Sequence, residues 1–217
     1  MHDLGADLLL FIICSPSGAG KTTLTRELLR SFRPLAFSVS CTTRKPRAAE
    51  VDGRDYFFVS REDFMQRVEA GAFVEWAEVH GNLYGTSTSE LERARSEDKV
   101  GIVFDVDYQG ARQIKAKLPS AVGVFILPPS MEELARRLRG RATDDESTIQ
   151  RRFAKAKTEI ENYRLFDYLI VNDDLEKSQA RLRSIVYAEA SRTTRLAMSA
   201  ERLLREEIVG PWPFQAL

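Results

Sequence analysis

The sequence predicts an α/β fold: a parallel sheet with helices on both faces, one inserted lobe and one short helical projection. Three observations lead there. Apolar runs of strand length recur along the chain, helical patterns follow them, and residues 36–90 break that alternation. With 217 residues, 43% of them hydrophobic and 29% charged, the chain can build one core with smaller lobes.

Leu8–Cys14 (LLLFIIC) is a continuous apolar run followed by turn residues, the pattern of a strand buried on both faces in a parallel sheet. Residues 21–30 then carry Leu24, Leu28 and Leu29 at helical spacing. Further strands are expected at Val100–Phe104, Val122–Leu127 and Tyr168–Val171, each followed by a helical pattern. Ser130 with Glu133 opens a helix over 130–139 as a capping box, and Gly140 closes it. Ile149, Phe153, Ala156, Ile160 and Tyr163 mark one face of a long helix, and Leu182, Ile185, Val186, Ala190 and Ala197 mark another. Between 36 and 90, short strands at Tyr56–Val59 and Phe73–Val79 flank a helix opened by Ser60 with Asp63 and closed by Gly71. Short strands without full crossover helices read as a mixed α+β insertion. The chain is thus read as a single domain over 1–217. Its core is 8–35, 91–135 and 166–204, its lobe 36–90, its projection 136–165 and its tail 205–217.

Composition excludes several classes. Lys and Arg number 32 and Asp and Glu 32, so no basic excess exists to coat nucleic acid or an anionic membrane. Cys14 and Cys41 form no disulfide framework and suit a reducing compartment. The run at 8–14 imitates a signal peptide, but Asp3 and Asp7 precede it and no Lys or Arg does. It is also too short to span a bilayer. A cytoplasmic protein is expected.

Ser15-Pro16-Ser17-Gly18-Ala19-Gly20-Lys21-Thr22 matches the phosphate-loop pattern G-x-x-x-x-G-K-[ST] except at its first position. The triplet Gly20-Lys21-Thr22 is weak evidence alone. An apolar strand running in and a helix running out are what the motif's mechanism requires. Successive backbone N–H groups form an anion nest and the helix N-terminus adds its dipole. Lys21 would reach the β- and γ-phosphates, and the Thr22 hydroxyl would ligate Mg²⁺. Ser15 carries a penalty only if that position needs a positive φ.

Residues 38–60 read SVSCTTRKPRAAEVDGRDYFFVS. Together with the phosphate loop, this closely resembles the guanylate kinase family, whose signature T-T-R-x-P-R-x-x-E-x-x-G-x-D-Y-x-F-V is met at every fixed position. Matching stretches follow at Tyr84-Gly85-Thr86, Asp105-Val106-Asp107-Tyr108-Gln109-Gly110, Arg137-Leu138-Arg139-Gly140-Arg141 and Val171-Asn172-Asp173-Asp174-Leu175, in the family's order. The resemblance implies a P-loop NTPase core, a GMP-binding lobe at 36–90 and an arginine-bearing lid at 136–165. It also implies the activity, phosphorylation of GMP and dGMP by Mg·ATP. The implied partners are GMP and ATP, with no nucleic acid and no membrane, in a monomer or homodimer.

The resemblance places roles on residues, and chemistry supports them. Arg44 and Arg47 flank Lys45-Pro46 in a stretch that Pro46 keeps from regular helix. Alone they read as a solvated basic turn; by resemblance they hold the GMP phosphate with Tyr56 and Tyr84. Guanine offers N1–H and N2–H₂ donors where adenine offers an acceptor at N1, so carboxylates select guanine. By resemblance these are Glu75 and Asp107, assisted by the Ser38 and Thr86 hydroxyls. Strict alternation puts Glu75 on one face with Phe73, Ala77 and Val79. Asp105 ends an apolar strand, where it either holds Mg²⁺ or caps the next helix. By resemblance the ATP site comprises Ser15 to Thr23 with Asn172, and the lid arginines are Arg137, Arg141 and Arg152. Catalysis is assigned to Lys21, Arg44 and those three arginines, with Arg136, Arg139 and Arg151 facing solvent. The family carries Gly where this chain has Ala142.

Two rivals remain: a binding module on the same fold that has lost catalysis, and a P-loop kinase for another small phosphorylated substrate. Lys21, Thr22 and the lid arginines argue against the first, and Glu75 with Asp107 against the second.

Overall fold

Strand β1 (Leu9–Cys14) is buried along its whole length, and its two faces build two separate helical layers. On one face Leu9, Phe11 and Ile13 pack with Leu24 and Leu28 of α1 (Lys21–Ser31) and with Leu182, Ile185 and Val186 of α7 (Leu175–Ala190). On the other, Leu10 and Ile12 meet Leu91 and Ala94 of α3 (Ser89–Ser96) and Ala111 and Ile114 of α4 (Tyr108–Lys117). A strand apolar on both faces has no stable place except inside such a sandwich. The computed structural model describes residues 7–79, 81–140 and 146–210.

The core sheet runs β2 (Leu35–Phe37), β7 (Gly101–Asp105), β1, β8 (Val122–Leu127), β9 (Tyr168–Val171), with every neighbouring pair parallel. This is the α/β class read from the sequence. Ala36 and Phe37, assigned to the lobe by that reading, belong to the core instead: β2 pairs them with Ile102 and Val103. The β1–β7 register sets Ile13 beside Asp105, so the carboxylate leaves the sheet next to the loop that follows Cys14.

The inserted lobe is a mixed sheet in the order β4 (Phe57–Phe58), β3 (Cys41–Thr42), β6 (Asn82–Ser87), β5 (Phe73–Val79). Its own small core joins Cys41, Phe64, Phe73 and Leu83. Phe64 comes from α2 (Arg61–Glu69), opened by the Ser60 hydroxyl accepting the Asp63 N–H, and stacks on Phe73 at 4.5 Å. The projection is a helix pair, α5 (Met131–Arg139) and α6 (Glu146–Glu161), closed around Leu134, Leu138, Ile149 and Ala156. Ser130 caps α5 as its spacing implied.

Two expectations are corrected. Glu75 does not share a face with Phe73. A bulge between them sets Phe73 opposite Ser87 but Glu75 opposite Thr86, which turns Glu75 to the other side of the sheet. The expected helix through Ala190 and Ala197 is two helices, α7 and α8 (Thr193–Leu204). Arg192 is extended at the break (φ −60°, ψ 139°), and its side chain pairs with the buried Glu189. Among the described residues, no helix is long and apolar enough to cross a membrane.

Phe11 sits at the centre of the larger core and is fully buried. Replacing it by alanine is expected to cost about 3–5 kcal/mol in urea unfolding; a loss below about 1 kcal/mol would contradict this packing.

Candidate active site

The phosphate loop connects β1 to α1 and depends on two glycines. Gly20 is the N-cap of α1 with φ +98°, and a Cβ there would lie 2.3 Å from Asn172 Nδ2. Gly18 has φ +94° and packs against Leu134 and Leu138 of α5. Any side chain at either position would strain the backbone and displace a neighbour. Ser15 is not in a positive-φ conformation, so its departure from glycine carries no backbone cost. No side chain caps α1 and no acid occupies its first turn, leaving an electropositive helix end for an anion.

Asn172, expected at the ATP site, braces the loop from below. Its amide donates to the Ala19 carbonyl at 2.7 Å, and its own carbonyl accepts from Arg137 at 3.0 Å. Arg137 is also held by Glu133, at 2.7 Å. Lys21 extends from the start of α1 into an ion pair with Asp105 and donates to the Val106 carbonyl at 3.4 Å. Burial pulls the Lys21 ammonium down, but the Asp105 charge and hydrogen bond, with the Cys14 and Asp107 charges, together outweigh it and the pKa is raised, so the lysine stays charged. Asp105 is not the cap of the following helix: Asp107 caps α4, accepting from the Gln109 and Gly110 N–H groups.

Two cavities lie side by side here. One, of 260 Å³, is lined by Ser15–Ser17, Gly18, Gly20–Thr23, Asp107 and Glu159. The other, of 220 Å³, is lined by Lys21, Tyr56, Glu75, Tyr84, Asp105 and Asp107 among others. Lys21 and Asp107 line both. Thr22 and Asp105 together face a third, larger space between α1 and the lobe.

In the second cavity Glu75 is 5% exposed and accepts from the Thr86 hydroxyl at 2.7 Å. Burial pushes its pKa up to about 7, the Thr86 hydrogen bond lowers it, and the nearby Asp107 charge raises it. Arg44 donates to both oxygens of Glu50 at 2.8 and 3.0 Å, with its guanidinium 5.4 Å from the Tyr56 ring centroid. The Tyr56 and Tyr84 rings meet at 6.0 Å, and burial holds the Tyr56 phenol above its usual range, as a donor. Arg47 gives only its backbone N–H to Glu50 and its side chain is exposed. Ser38 is buried with its hydroxyl unpartnered, a polar atom that a bound ligand can satisfy.

From α6, Arg152 donates to the Ser17 hydroxyl at 2.6 Å, and the Ser17 N–H donates to Glu159 at 3.3 Å. Burial raises the pKa of Glu159 against the opposing charge of Lys155. Arg136, Arg139 and Arg151 are exposed. Arg141 and Ala142 lie outside the described residues.

The guanylate kinase family model matches residues 9–189 of this chain, spanning both cavities and the lid. The chain belongs to the guanylate kinase family. It is 50% identical over 188 residues to the guanylate kinase of Geobacter metallireducens, covering 87% of this chain and 92% of that one. It is 53% identical over 181 residues to that of Nitratidesulfovibrio vulgaris, covering 83% and 87%. The crystal structure of guanylate kinase from Anaplasma phagocytophilum superposes with a TM-score of 0.73 at 32% identity, covering 94% of this chain and 98% of that one.

Three residues of this family member's site escaped the sequence reading. Glu50 stands at a fixed position of the signature, yet its role in holding Arg44 shows only in the fold. Lys155 and Glu159 follow Arg152 at helical spacing, a pattern that also fits a solvated face. Guanine's donors favour ionised Glu75, so GMP binding below pH ~7 is expected to expel a proton from it. Calorimetry in buffers of different ionisation enthalpy at about pH 6 should show wild type releasing more protons than Glu75→Gln, by up to about one, with the difference gone near pH 9. Equal release by both proteins would remove Glu75 from the base site.

Proposed function

We propose that this chain transfers the γ-phosphoryl group of ATP to GMP, giving ADP and GDP, with the two nucleotides seated in the two adjoining cavities. The observation that carries this reading is that the phosphate-loop cavity and the Glu75 cavity share Lys21 and Asp107. A donor phosphate on the loop and an acceptor phosphate below Tyr56 and Tyr84 would then meet beside one lysine. Direct in-line transfer needs that adjacency and no enzyme nucleophile.

The acceptor side selects its nucleotide twice. Glu75, oriented by Thr86, and Asp107 accept from the guanine edge, and adenine would set a lone pair against them. The Ser38 hydroxyl, buried and unpartnered, assists at the base, and Arg44, Arg47, Tyr56 and Tyr84 supply cationic and hydroxyl donors for the phosphate monoester. Glu50 holds the Arg44 fork ready before the phosphate arrives.

On the donor side the N–H groups of the loop, Pro16 excepted, cradle the phosphates between Ser15 and Thr23, with Asn172 fixing the loop's shape through Ala19. Lys21 exchanges Asp105 for the β- and γ-oxygens. The Thr22 hydroxyl and Asp105 carboxylate are hard oxygen donors facing one space, a set that would hold Mg²⁺. Bound there, Mg²⁺ would neutralise charge on the phosphates. Arg137, Arg141 and Arg152 stabilise charge on the transferring group, where one such arginine is worth about 10³–10⁵ in rate. Closure of lobe and lid excludes water that would otherwise accept the phosphoryl group. The two cysteines, Cys14 and Cys41, are buried and unpaired, which suits a cytoplasmic enzyme.

A coupled ADP-release assay across GMP, dGMP, AMP, CMP and UMP is expected to show turnover on GMP and dGMP alone. Turnover on none, or preference for AMP, would overturn the proposal. Lys21→Ala is expected to lower kcat by about 10²-fold or more while GMP affinity stays within about twofold. Unchanged kcat would take the phosphate loop out of the reaction.

A further inference from the structure

Helix α6 turns Arg152, Lys155 and Glu159 toward the phosphate loop. Arg152 and Glu159 are two helical turns apart and so share a face. Both end on one residue. Arg152 donates to the Ser17 hydroxyl at 2.6 Å, and the Ser17 backbone N–H donates to Glu159 Oε2 at 3.3 Å. Glu159 is only 6% exposed, its other oxygen lies 3.6 Å from Lys155 Nζ, and it lines the same cavity as the loop.

A buried carboxylate is an unexpected wall for a cavity that receives a polyanion. Like charges brought together in a confined site repel strongly. The group it holds is a main-chain N–H of an anion-binding loop, the kind of donor a phosphate oxygen takes. We infer that Glu159 is an intramolecular stand-in for the terminal phosphate of ATP, holding the Ser17 N–H until the γ-phosphate displaces it.

The position fits the γ-phosphate and not the β-phosphate. The N-terminus of α1, capped at Gly20, would take the β-phosphate, whereas Ser17 stands three residues earlier in the loop. Asp107, which shares this cavity with Glu159, also lines the Glu75 cavity and so marks the side that would face GMP. ADP can therefore bind without contesting Glu159, and ATP cannot. Because Arg152 and Glu159 share one helix, the arriving γ-phosphate releases both from Ser17 and makes the repositioning of Arg152 conditional on its presence. Glu159 is thereby a specificity-determining residue that separates ATP from ADP.

This inference rests on the phosphate loop being the ATP site. Calorimetric titration of Mg·ADP and Mg·β,γ-imido-ATP into wild type and Glu159→Gln tests it. Glutamine keeps the shape and an acceptor oxygen but removes the charge. The variant is expected to bind the imido analogue about tenfold more tightly, with ADP affinity within about twofold. Glu159→Ala, which removes charge and acceptor together, is expected to shift the same ratio in the same direction and serves if the glutamine variant folds poorly. Equal shifts for both nucleotides, no shift, or weaker binding of the analogue would make Glu159 a strut of α6 and sink the inference alone. A wild type that binds neither nucleotide would sink the ATP site with it.

Discussion

The register between β1 and β7 is the constraint on which the rest of the site depends. It sets Ile13 beside Asp105, and one residue later the chain leaves the sheet and turns into the phosphate loop. Lys21, the first residue of α1, then finds Asp105 within reach. A slip of one residue would move Asp105 to the opposite face and leave a half-buried lysine without its partner. Burial of Leu9–Ile13 on both faces fixes this register, because every side chain of β1 would enter the wrong helical layer after a slip. Core packing and active-site geometry are one arrangement here.

Four cations of the site rest on acceptors belonging to the chain itself, while the Arg47 side chain is exposed. Lys21 pairs with Asp105, Arg44 with Glu50, Arg137 with Glu133 and the Asn172 carbonyl, and Arg152 with the Ser17 hydroxyl. Such pairs add little net stability where they are partly solvated. Their effect is positional: each fixes where its cation stands. Within the cleft Asp105, Glu50 and Glu133 keep Lys21, Arg44 and Arg137 ordered, and in the proposed reaction phosphate oxygens would take over from them.

Much of this was legible in the sequence, for identifiable reasons. β1, β8 and β9 are apolar runs bounded by turn residues, and the glycines of the phosphate loop carry the positive φ values their spacing implies. α3 was not legible, because it buries only Glu90, Leu91 and Ala94 among charged neighbours and shows almost no apolar stripe. The break before α8 has no glycine or proline to announce it, being fixed by Arg192 reaching back to Glu189. Glu50 and Glu159 look like ordinary surface acids, and only tertiary contacts to Arg44 and Ser17 reveal what they do.

The bulge in β5 shows how a local irregularity serves the chemistry. Regular alternation would have put Glu75 with Phe73 in the lobe's apolar core, where a carboxylate has no partner. One extra residue turns it to the face of Thr86, whose hydroxyl it accepts, while Phe73 stays on Phe64. Glu75 is still buried, so its pKa of about 7 lies above the usual 4.5 of a glutamate. The folded protein then binds the Glu75 proton more tightly than the unfolded chain does. This contribution to stability is fully present below pH ~4.5 and is lost as pH rises toward ~7. Near neutral pH the lobe therefore holds a buried carboxylate whose charge the Thr86 hydrogen bond offsets only in part. In the proposed reaction guanine would bring N1–H and N2–H₂ to that point, so the same burial that disfavours the charge would strengthen the grip on that base.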